Sequence, residues 1–261
     1  MKQRIITAIV LIAIMLPCTI IGYKPFMILV AILTCGACFE ILSICESPKT
    51  PIYFYAVTGF YMLYTVLFGR ELLIESSSII ILLIIILALS IFDEQIPIIR
   101  ASYYFLSIVL ISGGFHALYY VRMQLGLSYI LYLALATFGS DTGAYFAGVL
   151  FGKHKLIPRL SPKKTIEGSI GGIVLGTILS VVYAYYFKLP YSLIQLSIIS
   201  IILTMTSQIG DLTFSSFKRY FNVKDYSQIF PGHGGVLDRF DSLLFNALVL
   251  CVCLSLTTMV L

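Results

Sequence analysis

Charge is what this sequence has least of. Only 11% of its 261 residues are Asp, Glu, Lys or Arg, 59% are apolar, and the mean hydropathy is +1.00. An average soluble domain carries about a quarter charged residues, so that class is excluded. No small-x-small cleavage site follows the first apolar stretch, and Pro17 before Cys18 spoils a lipoprotein-type site. That stretch, preceded by Lys2 and Arg4, is therefore read as a retained helix and not as a signal peptide. Cys35 and Cys38 have C-x-x-C spacing, but no second pair or histidine lies nearby to complete a zinc site. All six cysteines (18, 35, 38, 45, 251 and 253) sit in or beside apolar spans, as small packing residues, and imply no disulfide. Internal repeats and low-complexity linkers are missing too.

What is present is a succession of apolar runs long enough to cross about 30 Å of hydrocarbon. They predict an all-α polytopic membrane protein with about nine transmembrane helices (eight to ten). The expected spans are 5–22, 26–45, 52–69, 73–92, 102–120, 129–151, 168–187, 191–210 and 243–261. Gly69, Arg70, Glu71 and Glu75 crowd between the third and fourth. Loop charge sets the orientation. With nine spans, one side holds Lys2, Arg4, Lys49, Arg100, Lys153, Lys155, Arg159, Lys163, Lys164, Lys218, Arg219, Lys224 and Arg239. The other side holds only Lys24, Arg70, Arg122 and Lys188. Thirteen against four predicts a cytoplasmic N-terminus. The two longest polar loops, 152–167 and 211–242, then face the cytoplasm. The net charge of +5 follows from loops beside anionic lipid and from whatever anionic ligand they bind, and does not point to nucleic acid.

The chain divides into N-terminal transmembrane helices, 1–125, and a C-terminal transmembrane region, 126–261, that holds most of the functional candidates. Six of the twelve acidic residues and ten of the seventeen basic ones lie after position 140. In the first half, Glu40 lies inside the second span. An intramembrane carboxylate is a functional candidate by default, although it can also reach the interface or stay protonated. His116 in the fifth span reads as a hydrogen-bonded packing histidine or, less simply, a functional one.

The most informative segment is Ser207–Asp241. Asp211 and Ser215 are four apart and share a face on a continuing helix, with Lys218 and Arg219 one turn later. Lys224 and Asp225 follow, then Pro231-Gly232-His233-Gly234-Gly235, a run that disfavours helix and lets backbone amides approach a ligand. The helix that follows carries Asp238, Arg239 and Asp241, with the two carboxylates three apart on one face. Such carboxylates suit Mg²⁺, which takes one or two protein carboxylates and completes its shell with water and substrate phosphates. The cations suit the remaining phosphate oxygens. A second segment, 140–172, places Asp141 midway along an apolar span. There it either lines a cleft from within the membrane or serves a helix–helix hydrogen bond. Ser161-Pro162 reads as a helix start, which puts Lys163 and Lys164 in the first helical turn, where the backbone favours anions.

The run Ser215-x-Phe217-Lys218-Arg219-x4-Lys224-Asp225-x-Ser227-x2-Phe230-Pro231-x-His233-Gly234-Gly235-Val236-x-Asp238-Arg239-Phe240-Asp241 resembles the signature of the phosphatidate cytidylyltransferases, or CDP-diacylglycerol synthases. Ser140-Asp141-Thr142-Gly143-Ala144-Tyr145 and Ser161-Pro162-Lys163-Lys164-Thr165 resemble the same family; the N-terminal half does so only in hydropathy and in its opening residues. The resemblance implies transfer of the cytidylyl group of CTP to phosphatidic acid, giving CDP-diacylglycerol and pyrophosphate. It also implies Mg²⁺, with the number of cations open, a multi-pass place in the cell membrane among its lipids, and a homodimer. On this reading Asp211, Asp238 and Asp241 serve the metal, and Lys218, Arg219 and Arg239 neutralise the triphosphate. Lys163 and Lys164 receive the lipid phosphate, Gly234 and Gly235 supply backbone donors, and His233 hydrogen-bonds a phosphate or acts as an acid. Ser161, Thr165, Ser215, Lys224 and Asp225 complete the expected binding set. Two rivals lack their marks. A transporter built on Asp141, Asp211 and Glu40 needs a repeat, and the CDP-alcohol phosphotransferase pattern D-G-x2-A-R…G-x3-D-x3-D is absent.

Overall fold

The computed structural model of the chain describes residues 2–45 and 49–259. Residues 46–48 of the loop expected near 46–51, and the last two residues of the final expected span, lie outside the described residues, as do the side chains of Lys2 and Arg4. Among the described residues, five helices are long and apolar enough to cross a membrane: Tyr23–Ser43, Ile98–Leu125, Ile166–Tyr186, Leu193–Tyr220 and Leu237–Thr257. Three shorter apolar ones are Ile6–Ile21, Ile52–Phe68 and Ser76–Phe92. Isoleucine and phenylalanine side chains such as Ile28, Phe60, Ile84 and Phe151 stand exposed on the helices. This is the pattern of helices whose solvent is lipid, so the chain is a multi-pass membrane protein.

The chain forms two compact units. One comprises the residues up to Met123 together with Phe221–Phe240; the other comprises Gln124–Tyr220 and the chain from Asp241 onward. The first unit is built from α1 (Lys2–Ile21), α2 (Tyr23–Ser43), α3 (Ile52–Phe68), α4 (Ser76–Phe92) and α5 (Ile98–Tyr120). Helices α2, α3 and α5 pack on one another, α4 leans on α5 and α1 on α2. Their shared core includes Phe54, Met62, Tyr104, Ile108 and Phe115. Gly22, at φ 72°, breaks α1 from α2. Arg122 covers the exposed end of α1, donating from Nε to the Thr19 carbonyl at 2.5 Å and from its terminal nitrogen to Ile20 at 2.8 Å. Arg100, expected in a loop, sits instead in the first turn of α5 and is buried. It donates to Tyr104 Oη, the Gln95 carbonyl and Thr50 Oγ1 at 2.7–2.9 Å, which meets the requirement that a buried cation be hydrogen-bonded.

The second unit holds α6 (Leu127–Phe151), a ribbon of β1 (Lys155–Ile157) and β2 (Ser161–Thr165), α7 (Ile166–Tyr186), α8 (Leu193–Tyr220) and most of α9 (Leu237–Met259). Helices α6 and α7 make the most extensive helix pair. Small residues make this possible: a Cβ on Gly143 would lie 2.6 Å from the Gly171 carbonyl oxygen, and one on Gly176 would lie 2.8 Å from that of Ala136. In lipid, where no hydrophobic force drives helices together, close backbone approach replaces it. Buried polar pairs reinforce these helix contacts. Asn246 donates to Thr137 Oγ1 at 2.9 Å and accepts from Thr206 Oγ1 at 2.7 Å, while Tyr132 Oη and Ser200 Oγ are 2.8 Å apart.

Three sequence expectations change here. Ser161-Pro162 opens β2, not a helix; α7 begins at Ile166 with Thr165 as its N-cap, Oγ1 accepting from the Gly168 amide at 3.1 Å. In a two-stranded ribbon each strand has a free edge, so the missing proline N–H costs nothing, and Thr165 is the better cap. The loop 152–167 is thus largely ordered as an antiparallel ribbon, Lys155 opposite Thr165 and Ile157 opposite Ser161. The loop 211–242 shrinks to 221–236, because α8 runs on to Tyr220. No breaker interrupts α8 after Asp211, and Lys218 and Arg219 favour its C-terminal end; the turn comes at Asn222, φ 56°.

Candidate active site

Two groups of residues carry the expected chemistry, one in each unit. In the second unit a cavity of about 340 Å³ is lined by Asp141, Tyr145, Lys163, Lys164, Thr165 and Gln208, among others. Helix α6 supplies Asp141, β2 the two lysines, and α8 Gln208. The ribbon is fixed from behind: Glu167, in the first turn of α7, accepts from the amides of Lys153 and His154 at 3.1–3.3 Å and meets His154 Nδ1 at 2.7 Å. With the ribbon so held, Lys164 Nζ forms an ion pair with Asp211 of α8.

Asp211 belongs to a wider charge cluster. Asp141 is within electrostatic reach of Asp211 and Lys164, and Asp241 within reach of Asp211, Lys218 and Asp141. Three carboxylates in one low-dielectric neighbourhood repel one another. Lys164 and the buried Lys218 supply the compensating charge. Asp241 Oδ1 also accepts from the Ser242 amide at 2.7 Å. Ser215, one turn after Asp211, is half-buried, whereas Arg219 is exposed. Ser161 stands at the start of β2, outside the cavity lining.

In the first unit the glycine-containing segment folds on itself. Phe230 and Gly234 form a bridge, the Phe230 amide donating to the Gly234 carbonyl at 2.9 Å, and the His233 amide donates to Phe230 at 2.8 Å. Gly234 has φ 82°, a conformation that disfavours any side chain. Asp238 Oδ2 accepts from the Tyr226 and Gly235 amides, both at 2.9 Å. That oxygen therefore secures the loop, and the Gly235 amide, expected as a donor to substrate, donates within the protein. Arg239 Nε donates to the His233 carbonyl at 2.6 Å. His233 Nδ1 is buried without a hydrogen-bond partner. Lys224 and Asp225 are exposed in the same loop.

Sequence reasoning did not single out Gln208. Its Oε1 accepts from Ser169 Oγ at 2.5 Å and its amide donates to the Ser169 carbonyl at 3.0 Å, joining α7 to α8 at the cavity wall. A glutamine in an apolar span, four residues after Thr204 and three before Asp211, was the available signal. Glu40, a lone carboxylate in the sequence, has partners in the fold: Ser227 and the Val236 and Leu237 amides all donate to it. His116 is a packing histidine, Nε2 2.8 Å from the Glu71 carbonyl.

Residues 2–257 match the cytidylyltransferase family as a whole. The chain belongs to that family. Relatives include the phosphatidate cytidylyltransferase of Bacillus subtilis strain 168, 34% identical over 255 residues covering 94% of both chains. That of Staphylococcus haemolyticus is 36% identical over 249 residues, 94% of this chain and 95% of its own. In Staphylococcus saprophyticus identity rises to 48%, over 145 residues, 56% of this chain and 55% of its own. Family membership thus extends through the N-terminal helices, where the residues alone showed little beyond hydropathy.

The resemblance of the signature segment implies a divalent cation. Among the described residues no three His, Cys, Asp or Glu side chains form a ready-made metal cage. Mg²⁺ rarely requires one, since it is held by one or two carboxylates and the substrate's phosphates. Asp211 and Asp241, with lysines as their present counter-charges, provide donors of that kind.

Proposed function

We propose that this chain transfers the cytidylyl group of CTP to phosphatidic acid, releasing pyrophosphate and leaving CDP-diacylglycerol in the membrane. The observation that carries the reading is the Lys164–Asp211 ion pair, whose lysine lines a cavity with Asp141, Lys163 and Thr165, within a chain matched along 94% of its length by phosphatidate cytidylyltransferases. A lipid phosphate oxygen attacks the α-phosphorus of CTP, the bond to the β-phosphate oxygen breaks, and pyrophosphate departs. The attacking oxygen is already anionic, so no strong base is needed; positioning and charge neutralisation provide the rate. Lys163 and Lys164 bind the phosphatidate phosphate, and Lys218 and Arg219 counter the triphosphate. Asp211 and Asp241 would hold Mg²⁺, which when bound would supply charge neutralisation at the phosphates. Asp141, in the same field, keeps Lys164 in place when substrate is absent. On this reading the chain crosses the membrane nine times with its N-terminus and active site on the cytoplasmic side, and it works as a homodimer.

The test is turnover of purified protein with labelled CTP, phosphatidic acid micelles and Mg²⁺, counting lipid-soluble label and pyrophosphate. Label that disappears with EDTA is the expected result. Asp211→Asn is expected to lower turnover by at least about 10³-fold while leaving a folded, membrane-inserted protein. An active Asp211→Asn protein removes that carboxylate from the metal site.

A further inference from the structure

Helix α2 presents a small residue and an acid four positions apart, Gly36 and Glu40, and residues so spaced share a face. Glu40 is fully buried in an otherwise apolar span. Its carboxylate is saturated by one short stretch of chain: Oε1 accepts from Ser227 Oγ at 2.6 Å and the Val236 amide at 2.8 Å, and Oε2 from the Leu237 amide at 2.9 Å. Gly36 makes room for this, since a Cβ there would lie 3.0 Å from Val236 Cγ2. Gly235 makes room from the other side, where a Cβ would fall 2.2 Å from Glu40 Oε1. The first amides of α9 are orphan donors at the positive end of a helix. A carboxylate from a distant helix satisfies them, so Glu40 serves as an N-cap for α9 supplied from another part of the sequence.

We infer that Glu40 is a positioning residue for the cytidylyl transfer, and this rests on the function proposed above. Two carboxylates each hold both ends of the loop 226–236. Asp238 ties Tyr226 and Gly235 to the first turn of α9, and Glu40 ties Ser227, Val236 and Leu237 to α2. The turn thus fixed carries Asp238 and Arg239, with Asp241 one turn further along the same helix. Glu40 touches no substrate. It sets the shape of the first turn of α9, up to Phe240, and of the loop before it. The α9 N-terminus, occupied by Glu40, is thereby removed as a site for substrate phosphate.

Glu40→Gln keeps the shape but offers one acceptor oxygen, and its NH₂ faces a backbone donor. In the full-length, detergent-purified protein we expect kcat to fall about 10- to 100-fold, the size of effect a small misplacement produces. KM for CTP should stay within about threefold, because the variant loses alignment and keeps the binding groups. Hydrogen exchange read peptide by peptide should quicken across 226–240 and stay unchanged in α6 and α7. Ser227→Ala, which removes one donor of three, should lose less activity than Glu40→Gln. A Glu40→Gln protein with wild-type kcat, or with unchanged exchange over 226–240, overturns the inference. So does an activity loss that only mirrors a smaller folded fraction. A wild-type protein that makes no lipid product refutes the proposed reaction instead, and the exchange comparison still decides whether Glu40 holds the segment.

Discussion

Lys164→Gln removes the ammonium that neutralises Asp211, and its effects on metal binding and on turnover should point in opposite directions. Two unit charges about 4 Å apart attract by about 4 kcal/mol at an effective dielectric of about 20. The Lys164 and Asp211 side chains are 28% and 30% exposed, so solvent screens much of that, and about 1 kcal/mol is the reasonable net worth of the pair. A divalent cation binding Asp211 must displace the lysine, and without it should bind about fivefold more tightly, since about 1.4 kcal/mol is a factor of ten. Turnover should move the other way. Removing a cation aimed at a reacting phosphate costs about 10²- to 10³-fold in kcat by analogy with oxyanion donors. Mn²⁺ titration followed by electron paramagnetic resonance, without nucleotide or lipid, reads the first effect. Labelled-CTP turnover at saturating metal reads the second. An unchanged or weakened Mn²⁺ affinity in Lys164→Gln refutes the view that lysine and metal share Asp211.

Other perturbations test the frame around the site. Gly176→Val places a side chain against Thr204 Cγ2 and the Ala136 carbonyl, at 2.6 and 2.8 Å from its Cβ. It should cost about 1–3 kcal/mol, seen as a lower unfolding midpoint in detergent. Asp93, between α4 and α5, accepts from Tyr53 Oη and from the Gln95 amide, the latter at 2.8 Å. The Tyr53 hydrogen bond first, then the amide, hold its carboxyl below the usual range. A depressed folded value stabilises above the unfolded pKa of about 3.9 and loses that contribution as pH falls through the folded value. Tyr53→Phe should therefore lower the unfolding midpoint at pH 7, with the gap to wild type closing in acid; a gap that widens in acid would reverse the assignment.

The membrane character of the chain was legible in composition alone, because lipid demands long apolar runs and leaves little else to read. So was the helical placement of the charged residues of α8 and α9: Asp211, Lys218, Asp238 and Asp241 stand where their spacing put them, on helices that continue through the charged stretch. The ribbon was not. Ser161-Pro162 satisfies the local rules for a helix start as well as those for an edge strand. The choice was made by pairing with Lys155–Ile157 and by Thr165 as cap, and neither follows from the pentapeptide by itself. The partners of Glu40 were hidden for a different reason. A lone carboxylate announces a desolvation cost but not the donors that offset it, and the amides that meet it lie 196 and 197 residues downstream.

That separation has a consequence for how the chain is made. Glu40 enters the bilayer early, and Ser227 emerges from the ribosome 187 residues later. At about 5–20 residues per second the interval is roughly 10–40 s. Throughout it, a carboxylate in the second helix has none of its final partners and must stay protonated, seek water at the interface, or hold its helix short of full insertion. The N-terminal bundle is thus finished only when the signature segment folds back onto it. Chains that stop before that segment keep an unmet polar group in the second helix.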